Sequence, residues 1–247
     1  MNLIIDEGNT RIKLAVFENG QLIHLVVSNV VDFKKKMAEV LLNHKIKAVI
    51  LSSVTDKVCE IIHQLELENK VFLSENTMLP FTNLYETPKT LGADRLALVA
   101  NAWSRFRNKN CLIIDAGTCV TYDFITKNGE YLGGAISPGL EMRFKGLHTF
   151  TEKLPLLEIP PIPVNNLGKT TQQSIQSGVL NGLVFEIEGH IENYLQQYEE
   201  VTIILTGGDA DSLYKQLKNS IFVFPNFLLE GLDAILTYKN KNEAKNK

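Results

Sequence analysis

The tetrapeptide Leu-Ile-Ile-Asp occurs twice in this chain, at residues 3–6 and again at residues 112–115. Each copy opens a similar segment, LIIDEGNTRIKLAVF and then LIIDAGTCVTYDF. In both, an apolar strand reaches an aspartate, a turn follows, and alternating apolar residues resume. An internal repeat constrains a fold strongly, because each copy must form the same kind of unit. The repeat predicts two similar domains that face each other across a cleft.

The turn of the first copy combines groups that suit a metal-bound polyphosphate. Asp6 ends the strand, Gly8 supplies conformational freedom, and Asn9 and Thr10 offer polar groups beside exposed amides, with Lys13 close by. Such groups bind phosphates and hard cations. Gly and Asn also favour ordinary hairpin turns, so the first copy alone leaves both interpretations open.

A third glycine turn lies late in the chain. The buried-type strand Val201–Leu205 is followed by Thr206, Gly207, Gly208 and Asp209 and then by a helical pattern. A glycine turn before a helix lets a phosphate approach the backbone and the helix N-terminus. The late turn therefore predicts a further contact for a nucleotide.

A charged pair stands where another helix is predicted to begin, at Asp94 and Arg95. An aspartate in a first turn complements the helix dipole, which explains Asp94 without any function. Arg95 is a cation at the unfavourable end of that dipole, so it needs an anion from the protein or from a ligand. Its guanidinium suits a carboxylate, and Asp94 can accept the proton of a substrate hydroxyl.

As a set, the motifs DEGNTxxK, LGADR, DAGT and TGGDA resemble those of the type III pantothenate kinases, members of the acetate and sugar kinase/Hsp70/actin superfamily. The resemblance implies an α/β fold of two similar actin-like (ribonuclease H-like) domains, with mixed sheets flanked by helices and a cleft between them. It divides the chain at residues 1–110 and 111–247. It implies ATP-dependent phosphorylation of pantothenate to 4'-phosphopantothenate, the first step of coenzyme A biosynthesis.

The resemblance also assigns roles to residues. Asp94 is the general base. The loop that binds ATP and Mg²⁺ comprises Asp6, Glu7, Gly8, Asn9, Thr10, Arg11, Ile12 and Lys13, with Asp6 as a metal ligand. Asp115 helps hold a monovalent cation, K⁺ or NH₄⁺, Thr118 contacts ATP, and Gly207 and Gly208 are weaker candidates on the nucleotide side. The pantothenate pocket comprises Tyr85, Gly92, Ala93, Asp94, Arg95 and Thr171. The adjacent Thr170 leaves a one-residue ambiguity, and the second subunit of a homodimer completes the pocket.

Glu7 departs from the family pattern, which has a small or aliphatic residue at this position. A second carboxylate beside a triphosphate is unfavourable unless it points away or binds the cation. We expect Glu7→Val to leave turnover largely intact, whereas a loss as large as that of Asp6→Asn would make Glu7 a ligand.

Composition restricts the remaining possibilities. The formal net charge of −3 offers no basic footprint for nucleic acid. Three widely spaced cysteines argue against a disulfide framework or a zinc site. The start MNLIID lacks an export signal, and no apolar run approaches membrane-spanning length. These features predict a cytoplasmic protein that does not act at a membrane.

Periodicity predicts helices at 31–42 and 56–67, a long helix from Thr170 or Thr171 through Ile191, a helix after the late glycine turn to about Leu217, and a last helix at 228–238. The segment Leu154–Pro163 reads as a linker or as a segment packed along the surface. Residues 239–247 are predicted to fray.

Two other functions fit the same motifs. One is a kinase or phosphatase of this superfamily that acts on another substrate, for which Arg95 favours a carboxylate-bearing molecule over a neutral sugar. The other is a non-catalytic ATP-binding regulatory or accessory protein. The presence of Asp6, Lys13, Asp94 and Asp115 together counts against the second, because such a module does not need all four.

Overall fold

The structure is a computed structural model that describes residues 1–8, 11–55, 57–67 and 69–245. Its strands are β1 (Asn2–Glu7), β2 (Ile12–Glu18), β3 (Gln21–Ser28), β4 (Ala48–Ser53), β5 (Asn69–Phe72), β6 (Thr82–Asn83), β7 (Asn110–Ala116), β8 (Cys119–Ile125), β9 (Glu130–Pro138), β10 (Val201–Thr206) and β11 (Phe222–Val223). Its α-helices are α1 (Phe33–Asn43), α2 (Cys59–His63), α3 (Ala93–Arg105), α4 (Leu140–Thr149), α5 (Thr171–Gln197), α6 (Ala210–Tyr214) and α7 (Phe227–Lys245), and a short 3₁₀ helix covers Pro88–Thr90.

Contacts group the chain into two units. The first unit takes in residues 1–107, the short segment 129–131 and the chain from residue 227 onward, and the second takes in 108–128 and 132–226. The two-domain division at 110/111 stays a prediction. By contacts, the last helix α7 groups with the first unit.

The first unit is built on a mixed sheet with the strand order β3-β2-β1-β4-β5. The strands β1 and β2 are antiparallel, whereas β1 and β4 are parallel. One face buries apolar side chains of β1 and β2 against Phe33, Met37 and Val40 of α1. The other face packs Ile4, Ala15 and Phe17 against α3 and α7, from which Ala97, Ala100, Leu229, Leu232, Ile235 and Leu236 contribute. Both faces of this sheet are therefore covered by helices. The continuous apolar run of β1 requires this, because its side chains point to both faces.

The second unit repeats this local arrangement. Its sheet contains β11-β10-β7-β8-β9, with β7 antiparallel to β8 and parallel to β10. Strand β7 thus has the same two kinds of neighbour as β1, and Asp115 stands at the end of β7 as Asp6 stands at the end of β1. The duplication that the sequence predicted is present in the fold.

Helix α5 supplies the main apolar face of the second unit. Its side chains at four-residue intervals are buried against β7 and β8, and they are Ile175, Val179, Leu183, Ile187 and Ile191. The preceding segment, Leu154–Pro163, has no regular structure, and Leu154, Leu157 and Ile162 pack against the same core. The surface-packing interpretation of that segment is therefore confirmed over the linker interpretation.

Three helix boundaries differ from the prediction. Helix α2 covers only Cys59–His63, and α6 ends at Tyr214. The last helix was predicted to end at residue 238, but α7 continues to Lys245. Fraying of the chain end stays a prediction. Lys239 Nζ lies 2.5 Å from Glu243 Oε1, and an ion pair at this four-residue spacing stabilises the end of the helix. Asn69 also donates a hydrogen bond to Asn240.

Candidate active site

The turn between β1 and β2 brings Asp6 beside a lysine. In the antiparallel register Asp6 lies directly opposite Lys13, so the two side chains share one face of the strand pair. The backbone N–H of Gly8 donates to the carbonyl of Arg11 at 3.1 Å and closes the turn. Asn9 and Thr10, also expected in this loop, lie outside the described residues.

Asp6 has an unusual protonation equilibrium. Burial raises the pKa of its carboxyl to about 6, Lys13 opposes that rise, and the nearby carboxylate of Asp94 adds to it. A carboxylate that is costly to ionise alone is stabilised by a bound cation. Of the other loop residues predicted to bind ATP, Arg11 is exposed and Ile12 is buried, so Ile12 offers only its backbone.

The side chain of Glu7 is buried and hydrogen-bonded within the protein. It is 1% exposed, and its carboxylate accepts hydrogen bonds from Ser53 Oγ at 2.6 Å, Thr55 Oγ1 at 2.5 Å and the backbone N–H of Lys57 at 3.1 Å. Successive side chains of a strand point to opposite faces, so Glu7 points away from the face of Asp6. These contacts favour the interpretation in which Glu7 points away from the phosphates.

The start of α3 holds Asp94 and Arg95. The backbone N–H of Arg95 donates to Asp94 Oδ1 at 2.8 Å, which turns the carboxylate back over the first helical turn. A Cβ on Gly92 would lie 2.3 Å from that oxygen, so only glycine leaves room for this position of Asp94. The predicted site residues Gly92, Ala93, Asp94 and Arg95 therefore form one connected helix start.

Tyr85 meets this helix start through Arg95. The guanidinium carbon of Arg95, which is 4% exposed, lies 5.5 Å from the centre of the Tyr85 ring. Tyr85 also stacks on Tyr131, with ring centres 6.1 Å apart and planes 9° apart. Phe81 contacts Tyr131 edge-on. Tyr131 was not among the predicted site residues, because nothing in its local pattern indicates a partner 46 residues earlier in the chain.

In the second unit, three turns converge at the end of β7. Gly207 has a φ of +100°, and a Cβ there would lie 2.2 Å from the carbonyl oxygen of Ala116 and 2.5 Å from Asp115 Oδ1. The N–H of Asp209 donates to the carbonyl of Ala116 at 3.0 Å, and that of Gly139 donates to Thr118 at 3.1 Å. The late glycine turn is thus built directly against the Asp115 turn.

The same region is acidic. Burial raises the pKa of the Asp209 carboxyl, and the nearby carboxylate of Glu141 raises it further. Asp115 is partly exposed and Thr118 is exposed, so both side chains are accessible in their turn. Several carboxylates at a nucleotide site are compatible with bound phosphate only when cations are also bound.

The start of α5 distinguishes the two candidate threonines. Thr170 is the N-cap, and its hydroxyl accepts a hydrogen bond from the N–H of Gln173 at 3.2 Å. Thr171 is the first helical residue and is exposed. The helix therefore begins with Thr170 as its cap, and the hydroxyl of Thr170 is occupied, whereas Thr171 is exposed.

Among the described residues, no group of three or more His, Cys, Asp or Glu side chains could hold a metal ion. The donor chemistry instead suits Mg²⁺ that arrives with ATP, since Mg²⁺ commonly uses one or two carboxylates together with phosphate oxygens. Asp6, a hard oxygen donor beside the loop, fits that use.

These features define a class. Each unit has a central strand whose last residue but one is an aspartate, Asp6 or Asp115, and which pairs with an antiparallel neighbour, as in the actin-like fold. Solved structures share the fold: glucokinase from an Antarctic psychrotroph has a TM-score of 0.54 at 12% identity, covering 96% of this chain and 98% of that one. A Baf family protein from Campylobacter jejuni has a TM-score of 0.65 at 20% identity, covering 97% and 99%.

Sequence relatives identify the family. The family model described as type III pantothenate kinase matches residues 2–193, and the chain belongs to that family. The type III pantothenate kinase of Christiangramia forsetii is 49% identical over 98% of this chain and 100% of its own length. That of Flavobacterium johnsoniae is 45% identical over 98% and 100%. None of the described helices is both long and apolar enough to span a membrane.

Proposed function

We propose that this protein transfers the γ-phosphoryl group of ATP to pantothenate, giving 4'-phosphopantothenate and ADP in the first step of coenzyme A biosynthesis. Membership of the type III pantothenate kinase family supports this function. The observation that carries it is the joined helix start, in which Asp94 and Arg95 lie together and Tyr85 lies over Arg95. We expect the protein to work in the cytoplasm.

Asp94 acts as the general base in this proposal. The substrate hydroxyl attacks the γ-phosphorus, its proton passes to the Asp94 carboxylate, and the bond between the γ-phosphorus and the β,γ-bridging oxygen breaks to release ADP. The hydrogen bond from the Arg95 N–H holds one carboxylate oxygen, which leaves the other for the proton. The Arg95 guanidinium binds the pantothenate carboxylate, and Tyr85 covers one side of it.

The phosphate loop binds the other substrate. Gly8 and Arg11 close the turn through their backbones, and Lys13 provides a positive charge beside Asp6. Bound Mg²⁺ neutralises phosphate charge, and Asp6 is the residue that would hold it. Asp6 becomes fully ionised in that state, since a cation favours the charged carboxylate.

Asp115, Thr118 and the glycine turn contact the nucleotide from the second unit. Asp115 helps hold K⁺ or NH₄⁺, a role supported by the additional carboxylates of Asp209 and Glu141 in the same region. Thr118 and the backbone at Gly207 and Gly208 approach the phosphates. The tight contact of Gly207 with the Asp115 turn supports a joint role for the two turns.

We further propose that the protein is a homodimer in which Thr171 completes the pantothenate pocket of the partner. The support is the exposed position of Thr171 and the presence on the same helix of Phe185, which is 61% exposed. Aromatic residues are enriched at the cores of protein–protein interfaces. Light scattering on purified protein tests this, and a monomer at assay concentrations would contradict it.

The central experiment measures ADP release with pantothenate and Mg-ATP, in K⁺ or NH₄⁺ and again in Na⁺ alone. Wild type is compared with Asp94→Asn and with Glu39→Gln, a matched loss of one carboxylate at an exposed position on α1. Turnover that requires pantothenate and K⁺ or NH₄⁺, persists in Glu39→Gln and disappears in Asp94→Asn supports the substrate, the cation and the base together.

Other results separate the parts of the proposal. Equal activity in Na⁺ alone removes the role of Asp115 in cation binding and leaves the kinase. Full activity of Asp94→Asn removes the base. Folded protein that binds ATP but gives no turnover with pantothenate in any salt contradicts the function, and a panel of other carboxylate-bearing alcohols would then identify the acceptor.

A further inference from the structure

A concavity lies within the first unit, apart from the phosphate loop and the start of α3. Its volume is about 820 Å³, and it is formed by the beginning of β1, the β2–β3 turn, the end of α3 and one side of α7. Cavities of about 300–1,000 Å³ are the size that binds small organic ligands. None of the residues proposed above to bind ATP or pantothenate lines it. We refer to it as the α3–α7 groove.

The rim of the α3–α7 groove is cationic. The exposed side chains of Lys47, Arg107 and Lys241 line it, against a single exposed carboxylate from Glu18. Arg105 also lines it but is paired with Glu230 at 3.1 Å, so that pair adds little net charge. The whole chain carries a formal charge of −3, so this surface has the opposite sign to the protein as a whole. A cationic concavity concentrates anions.

The floor is polar and buried. Asp233 is 5% exposed and accepts a hydrogen bond from Asn2 Nδ2 at 2.7 Å, and Asn101 is 3% exposed. Burial raises the pKa of the Asp233 carboxyl, with the Asn2 hydrogen bond in partial opposition. The hydroxyls of Thr237 and Tyr238 line the adjoining wall on α7. A carboxylate in the floor of a cleft can accept hydrogen bonds from the hydroxyl groups of a ligand.

We propose that the α3–α7 groove binds a small phosphorylated metabolite of the sugar phosphate type. The rim cations Lys47, Arg107 and Lys241 bind the phosphate, and the floor and wall accept and donate hydrogen bonds to the hydroxyl groups. The same helix, α3, carries Asp94 near its first residue and Arg105 at its last. The ligand therefore binds near the last turn of α3, at the opposite end of the helix from Asp94.

The chain contains its own reporter for this site. Trp103 is the only tryptophan, and the guanidinium carbon of Arg107 lies 4.6 Å from the centre of its ring. A phosphate that binds Arg107 changes this cation–π contact, so it changes tryptophan fluorescence. Arg107 lines the groove and Trp103 contacts it from outside, so the signal reports on Arg107 and does not depend on turnover.

The experiment titrates full-length protein with ribose 5-phosphate and, separately, with ribose. The test variant is Lys47→Glu with Lys241→Glu, and the matched control is Lys34→Glu with Lys35→Glu, two exposed lysines of α1 outside the groove. Lys13→Ala is included to remove phosphate binding at the ATP loop. Circular dichroism confirms that each variant is folded.

We expect a saturable fluorescence change with ribose 5-phosphate in wild type, in the α1 control and in Lys13→Ala, and none with ribose. Reversal of the two groove lysines should weaken binding by about tenfold or more, since each charge reversal replaces attraction by repulsion. No saturable change, equal affinity in the groove and control variants, an equal response to ribose, or loss of the response in Lys13→Ala would each overturn the proposal. The readout is separate from ADP release, so failure here leaves the kinase assignment intact.

Discussion

Replacing Glu7 tests whether this residue only stabilises the turn between β1 and β2 or also binds the metal or the phosphates. Its carboxylate joins the end of β1 to Ser53 at the end of β4 and to Thr55 and Lys57 in the segment that follows. Glu7→Val has nearly the same bulk near the backbone and removes all three acceptor interactions. Glu7→Gln keeps the shape and one acceptor oxygen and removes the charge.

The loss of stability can be worked from these contacts. Hydrogen bonds to a charged group contribute roughly 1.5–3 kcal/mol each, so three would suggest a loss of about 4.5–9 kcal/mol. Ser53 and Thr55 are only partly buried and regain water in the variant, and contributions within one network do not add. We therefore expect Glu7→Val to lower stability by about 3 kcal/mol, or Tm by roughly 6–12 °C. Glu7→Gln should lose about half as much.

Turnover should respond differently from stability. Because the Glu7 side chain lies on the face opposite Asp6, ADP release well below Tm should stay within about threefold of wild type, a change of less than 1 kcal/mol in the barrier. Thermal unfolding followed by circular dichroism gives the first quantity, and a coupled ADP assay gives the second. Glu39→Val, an exposed substitution on α1, is the control for loss of a carboxylate.

Two outcomes would refute this reasoning. A Tm within about 1 °C of wild type would mean that the three hydrogen bonds contribute no net stability. A loss of turnover as large as that of Asp6→Asn, in protein that is fully folded at the assay temperature, would mean that Glu7 acts on the metal or the phosphates.

Three further predictions concern the site. Asp6→Asn should abolish turnover yet stabilise the ligand-free protein by at most about 3 kcal/mol at pH 8. The raised pKa of Asp6, about 6, means that the wild-type protein loses stability as the pH rises from about 4 to 6, and the neutral asparagine avoids this loss. The gain in Tm should vanish at pH 4, and destabilisation at both pH values would contradict the prediction. Tyr131→Leu should raise KM for pantothenate by about 2–10-fold through the lost stack on Tyr85 and leave KM for ATP unchanged, with Tyr131→Phe near wild type; equal changes in both KM values would argue against it. Gly207→Ala should lower stability by about 2 kcal/mol or more and weaken ATP binding, as measured by thermal unfolding and calorimetric titration. Gly208→Ala should change neither quantity, because a Cβ at this position has no atom within 4 Å. Equal effects of the two substitutions would refute the steric argument.

Local patterns were enough for much of the fold. The repeated strand and acidic turn were readable because strand alternation and turn residues are determined within a few positions. The long helix was equally clear, since Ile175, Val179 and Ile187 recur at helical spacing and all are buried. The joining of Asp94 to Arg95 followed from their place in a first helical turn.

Contacts between distant parts of the chain could not be predicted in this way. Alternation indicates that Glu7 and Asp6 point to opposite faces, but the partners of Glu7 lie about 46–50 residues further along the chain. The stack of Tyr131 on Tyr85 is of the same kind. The extension of α7 to Lys245 depends partly on Asn240, which meets Asn69 in a strand that the sequence did not predict. Each of these contacts joins residues that are far apart in the sequence, so local patterns do not reveal it.

The return of α7 to the first unit has a consequence for biosynthesis. The buried residues Leu229, Leu232 and Ile235 cover one face of the sheet that begins at Asn2. A ribosome therefore completes this core only after it has made the whole of the other unit, and until then the nascent sheet exposes Ile4 and Phe17. We expect the second unit, contained almost entirely within 108–226, to become resistant to protease first on stalled nascent chains, although its coding sequence comes later.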